Sequence, residues 1–116
     1  MTFRLNTYQV VATAAGPAYL NGGVCAIVPN AQGVPPAILV LLSPGAVLTY
    51  NVEVTGDNVQ TTGYVPNNGV WVPFPGMAGL AATFAGSLGA LVQGLRLNLP
   101  SWSSGTATLQ VIQLQP

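Results

Sequence analysis

Apolar residues recur at every second position in three stretches of this chain. Over residues 47–54, Leu48, Tyr50, Val52 and Val54 share one parity and Thr49, Asn51 and Glu53 the other, with Val47 an apolar exception at the start. Over residues 91–99, Leu91, Leu95, Leu97 and Leu99 fall on one parity, interrupted by Gln93. Val92, Gly94, Arg96 and Asn98 fall on the other. Over residues 106–114, Ala107, Leu109 and Val111 oppose Thr106, Thr108 and Gln110, until Ile112 and Leu114 break the rule. Successive side chains leave a pleated backbone on opposite sides, so a period of two marks a strand with one face on a core. The continuous apolar run at 37–42 reads as a further strand.

Turn residues divide these stretches. Ser43-Pro44-Gly45-Ala46 carries Pro at the second turn position and Gly at the third, the demand of a type II turn. It predicts a hairpin joining 37–42 to 47–54. Residues 100–105 predict a second turn, after which 106–114 pairs antiparallel with the strand before it. Thr55-Gly56-Asp57-Asn58 ends a strand, 59–65 reads as a weaker one, and Pro66-Asn67-Asn68-Gly69 is a compact turn. In 70–74, Pro73 cannot donate to a ladder, which places that strand at a sheet edge. The Gly- and Ala-rich 76–89 admits either a loop with a helical turn or a short strand such as 81–84. At the start, 1–11 reads as a short strand or lead-in. Residues 12–33 crowd turn signals together (Ala14-Ala15-Gly16-Pro17, Asn21-Gly22-Gly23, Pro29-Asn30), with only 24–28 long enough for an element. This segment is expected to be irregular and extended, either a loop over one end of the fold or an arm across a neighbouring subunit. Seven or eight short strands result, with no repeat and no shift of composition. The expected fold is all-β: one antiparallel β-sandwich domain over 1–116, jelly-roll-like, with a long irregular N-terminal segment.

Charge narrows the function more than the fold. Arg4, Glu53, Asp57 and Arg96 are the only charged side chains among 116 residues, and there is neither histidine nor lysine. An ordinary domain devotes about a quarter of its residues to charge. Two arginines far apart in sequence form no basic footprint, which argues against nucleic acid as a partner. Zinc wants Cys and His, and Cys25 is the one cysteine. Calcium wants several converging carboxylates. Ser–His and Ser–Lys chemistry lack their base, and no phosphate-cradling Gly-rich motif or Walker lysine is present. Two carboxylates could serve a glycosidase, yet Glu53 and Asp57 stand about 13 Å apart along an extended strand unless Gly56 bends it. Asp57 in Thr-Gly-Asp-Asn reads as turn chemistry. The expectation is a protein without enzyme activity, metal or cofactor. Residues 76–95 form the best candidate membrane span, but Gly and Ala contribute little transfer energy, so no membrane partner is expected.

What remains is shape, hydrogen bonding and apolar contact. Zero net charge removes the repulsion that keeps monomers apart, so either self-association as a dimer or trimer or docking as a subunit on another protein is expected. The candidate interface residues are Tyr19 and Leu20 in the N-terminal segment, together with Trp71, Phe74, Arg96 and Trp102. Arg96 sits mid-strand on the polar parity, where it could pair with Glu53, reach a neighbouring subunit or simply be solvated. Trp102, in Ser101-Trp102-Ser103-Ser104, could pack on its own fold, meet another protein, or join Trp71 in a platform for sugar rings. The uncharged stretch from Leu5 to Val52 makes the N-terminal part the leading candidate for burial against another chain.

Residues 48–113 also carry a resemblance. The strand Thr49-Tyr50-Asn51-Val52-Glu53-Val54-Thr55, the segment Trp71-Val72-Pro73, the strand Leu95-Arg96-Leu97-Asn98-Leu99, and a Ser-rich turn before Thr106-Ala107-Thr108-Leu109-Gln110-Val111-Ile112-Gln113 follow one another. Together they resemble small β-sandwich virion proteins of tailed bacteriophages, above all the capsid decoration (cement or staple) proteins. Such patterns also occur in tail and fibre-associated domains. The resemblance implies a non-enzymatic jelly-roll-like subunit on the outer capsid surface that bridges copies of the major capsid protein. A glycan-binding β-sandwich module is the alternative of a different class.

Overall fold

A computed structural model describes residues 4–20, 36–57, 62–87 and 94–115. Eight strands run through them: β1 (Arg4–Ala12), β2 (Gly16–Tyr19), β3 (Ala37–Leu42), β4 (Val47–Thr55), β5 (Val72–Pro73), β6 (Phe84–Ser87), β7 (Gly94–Ser104) and β8 (Ala107–Gln115). They form two four-stranded sheets, a first in the order β1-β8-β3-β6 and a second in the order β2-β7-β4-β5. Every pairing is antiparallel. The pairs β1·β8, β2·β7, β3·β6 and β4·β5 are those of one long ribbon folded in half. Rolling the ribbon brings β8 beside β3 and β7 beside β4, and the sandwich closes. This is the jelly-roll arrangement, and the expected all-β, single-domain sandwich is what the chain forms.

The period-two patterns place the core. Leu48, Tyr50, Val52 and Val54 of β4 and Leu95, Leu97 and Leu99 of β7 face inward from the second sheet. Ile38 and Val40 of β3 and Ala107, Leu109 and Val111 of β8 meet them from the first. Tyr50 is the largest fully buried side chain among the described residues, and its hydroxyl donates to Ala82 O at 2.6 Å. Burial pushes its pKa up to about 12.

Two expected hairpins are crossovers instead. The turn at Pro44-Gly45 forms as predicted, with Ala46 N–H donating to Ser43 O at 3.1 Å and Gly45 at φ +74°. Yet β3 lies in the first sheet and β4 in the second, and β7 and β8 are separated in the same way. The reason is geometric. Packed sheets stand about 10 Å apart, a gap that four extended residues span as easily as they close a hairpin. A short turn fixes where the chain reverses and not which sheet it enters. The two crossovers lie side by side: Ser43 N–H donates to Thr106 O at 3.0 Å, and Thr106 N–H donates to Ser43 Oγ at 2.9 Å. Gly105, at φ +90°, has no room for a side chain there, since a Cβ would stand 2.5 Å from that of Ala46.

Other expectations shift in detail. The segment 12–33 is not wholly irregular: Ala12 closes β1, and Gly16–Tyr19 enters the second sheet beside β7. The Gly16-Pro17 turn signal thus starts a strand at a sheet edge, where Pro is tolerated; the possible element at 24–28 and Cys25 lie outside the described residues. Pro100 does not end β7, which continues to Ser104, because the register against β4 slips between Thr49 and Asn51 and the irregularity accommodates the missing donor. Of the weak strand at 59–65, the described residues 62–65 form a turn and coil. The ambiguous 76–89 supplies Phe84–Ser87 to the edge of the first sheet, three residues later than 81–84. Pro73 sits at a sheet edge, as its missing donor requires.

Candidate functional site: a lidded charge cluster

The outer face of the second sheet brings Glu53 and Arg96 together. Cross-strand register sets Tyr19 beside Arg96 and Arg96 beside Glu53, one row over β2, β7 and β4. Arg96 Nε donates to Glu53 Oε1 at 2.6 Å, and its Nη2 pairs with the same oxygen. The other carboxylate oxygen accepts from Asn98 Nδ2 at 3.1 Å and Asn51 Nδ2 at 3.2 Å. Asn51 Oδ1 in turn accepts the Gly79 N–H at 2.7 Å. Glu53 is only 5% exposed, although it points away from the core.

Residues 62–71 supply part of the cover. Trp71 lies over the guanidinium, whose carbon is 5.0 Å from the indole centroid and 5.8 Å from that of Tyr19. The two rings meet at 5.6 Å with a 55° tilt. Such a sandwich suits a weakly hydrated, planar cation. Tyr19 Oη accepts from Arg96 Nη1 at 3.3 Å and donates to Asn67 Oδ1, on the 3-10 turn Pro66–Asn68. Trp71 Nε1 donates to Pro66 O at 2.9 Å. Asp57 fastens the lid from the far side, accepting from Val70 N–H at 2.9 Å and Tyr64 Oη at 3.1 Å. The expected bond of its carboxylate to the backbone of its own turn gives way to these longer reaches, and its N–H bonds locally, to Thr55 Oγ1 at 3.0 Å.

The electrostatics follow from these partners. Burial pushes the Glu53 carboxyl up, but the amides of Asn98 and Asn51 and the Arg96 guanidinium outweigh it, so the group sits below its ordinary value. The Val70 N–H holds Asp57 low, against a smaller opposing effect of burial and with help from the Tyr64 hydroxyl and Thr55. Burial and then the Asp57 carboxylate raise Tyr64. A carboxylate accepting from three side chains is a structural anchor, and among the described residues no three His, Cys, Asp or Glu come together.

The chain matches no known protein family, no curated protein and no solved structure. Its own surfaces carry the functional argument.

Of the candidate interface residues, the fold brings Tyr19, Trp71 and Arg96 into this one cluster. Leu20 is buried in the core at 1% exposure, and Phe74 packs against the core with its N–H on Val52 O. Trp102 stands apart, across from Leu48 near the end of β7, with its indole N–H on Gly105 O at 2.9 Å. It is 37% exposed. The two tryptophans thus belong to different settings. Asn51 and Asn98 escaped the sequence reading as members of the cluster, although they share the parity of Glu53 and Arg96. Asn67 had no such signal. No helix among the described residues is long and apolar enough to cross a membrane.

Proposed function

We propose that this chain is a non-enzymatic structural subunit of a virus particle, decorating the outer surface of a phage capsid and stabilising it by bridging major capsid protein subunits. The observation that carries the reading is where the charge goes. Glu53 and Arg96 neutralise each other beneath a lid, and Asp57 is bonded into that lid. Meanwhile Leu5, Val11, Leu41, Val47, Val65, Val70 and Val72 stay exposed. A surface of this kind favours cover by another uncharged surface over free solution. The jelly-roll sandwich is a fold that capsid and lectin domains both use, so fold alone leaves the choice between them open. Both indole N–H groups are bonded to main-chain carbonyls, and Trp71 faces Arg96, which leaves the sugar-platform alternative less support.

Purified protein added to capsids lacking it is expected to bind in a saturable manner and to raise their resistance to heat. Binding should be as tight in high salt as in low, because screening acts on charges the contact does not use. Failure to bind any assembled shell sinks the reading. Labelled antibody on intact virions separates a head position from a tail or fibre position.

A further inference from the structure

A sandwich of two open sheets has four edge strands, and here they differ sharply. β2 is four residues long and carries Pro17. β5 is two residues long and carries Pro73, and β6 is four residues long. Shortness and proline are the usual defences of an edge against pairing with another chain. β1 has neither: nine residues without a proline, at the end of the first sheet. Among the described residues no strand pairs with its outer side. A strand in that position turns about half of its main-chain donors and acceptors outward.

The side chains on β1 tell which partner suits it. Leu5, Thr7, Gln9 and Val11 point to the outer face of the first sheet, since their register partners on β8 alternate with the buried Ala107, Leu109 and Val111. Leu5 is 70% and Val11 45% exposed, one near each end of the strand. We infer that β1 is a dimer seam: two copies pair β1 with β1 antiparallel about a two-fold axis at Tyr8, joining their first sheets into one eight-stranded sheet. The inference takes up the self-association expected of a chain with zero net charge and adds its place and register.

Three features select a second copy as the occupant. A continuous sheet needs outward residues opposite outward residues, and among such registers one alone pairs all nine positions. That register sets Leu5 opposite the partner's Val11, so the exposed apolar residues cover each other, and Thr7 opposite the partner's Gln9. It also sets Arg4 opposite the partner's Ala12, which holds the two Arg4 positions at opposite ends of the seam and away from like-charge contact. The contact is isologous and closes at two copies, whereas an unblocked edge pairing with unlike edges would propagate.

Charge placed on the seam tests it. Wild-type protein should sediment with about twice the 11.8 kDa chain mass. Thr7→Lys with Gln9→Lys sets like charges opposite each other twice, and this variant should run as a monomer. So should Thr7→Glu with Gln9→Glu. An equimolar mixture of the two should recover the dimer as a heterodimer. A monomeric wild type, variants that keep the wild-type mass, or a mixture that stays monomeric overturns the seam. Should either variant fail to fold, amide exchange on the wild type decides alone: protection within residues 4–12 should rise about tenfold or more from dilute to concentrated protein, and concentration-independent exchange overturns the seam. Capsid binding measured on the same samples keeps the two proposals apart. A β1 dimer that binds no shell leaves the seam standing and removes the capsid reading; a monomer that binds shells does the reverse.

Discussion

The two sheets of this sandwich treat their outer faces in opposite ways. On the second sheet, Glu53 and Arg96 lie under Trp71 and Tyr19, fastened by Asn51, Asn98 and Asn67. On the first, the rows Val11–Thr108–Leu41, Gln9–Gln110–Leu39–Ala85 and Thr7–Ile112–Ala37–Ser87 hold no charge. There Gln110 Nε2 donates to Gln9 Oε1 at 3.2 Å. In most proteins charge keeps an outer face wet. Here the charge holds a loop down on one face, and the rows on the other offer solvent only uncharged side chains such as Thr7, Gln9, Thr108 and Gln110. The difference separates a face covered by its own chain from one that, among the described residues, carries no such cover.

Breaking the finished face should cost most. Glu53→Ala leaves the Arg96 guanidinium buried without its partner, and we expect a loss of about 3–5 kcal/mol in denaturant unfolding. Glu53→Leu with Arg96→Met should recover much of that loss, since replacing both partners leaves no unpaired charge. Acid loosens the same contact without mutation. Glu53 and Asp57 both sit below their ordinary values in the folded chain, so their stabilisation is complete above the unfolded carboxylate range of about pH 4. It is lost as pH falls through the lower folded values. Urea midpoints should therefore stay level from about pH 7 to 5 and drop below about pH 4, and the drop should shrink in the Leu–Met variant.

Gly69→Ala tests the lid. A Cβ there would fall on the Tyr64 hydroxyl and stand 2.7 Å from Asp57 Oδ2 and 3.1 Å from Trp71 Nε1. We expect about 1–2 kcal/mol of destabilisation and a red-shifted Trp71 fluorescence, read against Trp71→Phe to separate it from Trp102. Gln110→Ala on the open face should change unfolding by less than about 0.5 kcal/mol, the ordinary size for a solvent-facing substitution. A large loss there would mean that the first sheet's outer face is finished within the chain as well.

Much of the sandwich was legible because its strands are half buried. Leu48-Thr49-Tyr50-Asn51-Val52 and Leu95-Arg96-Leu97-Asn98-Leu99 announce their inward faces by parity, and those faces form the core. Sheet membership was not legible: a turn such as Ser43-Pro44-Gly45-Ala46 serves a crossover as well as a hairpin, and only the pairing of β3 with β8 distinguishes them. β2 was hidden by its own Gly and Pro, residues that mark both loops and defended edges. The Glu53–Arg96 pair was within reach as one of several options, since both residues share the outward parity of mid-strand positions. Its lid was not, because Trp71 and Asn67 arrive from an irregular segment with no periodicity to aim them.

The folded-in-half ribbon sets a schedule for synthesis. β1 pairs with β8, Arg4 opposite Gln115, so β1 is made well before the strand it pairs with. Ribosomes add about 5–20 residues per second, which leaves β1 several seconds with both edges bare. Contacts this distant in sequence also close slowly once the chain is complete. Copies of the chain made close together would spend those seconds among identical unfinished neighbours, each offering the same strand.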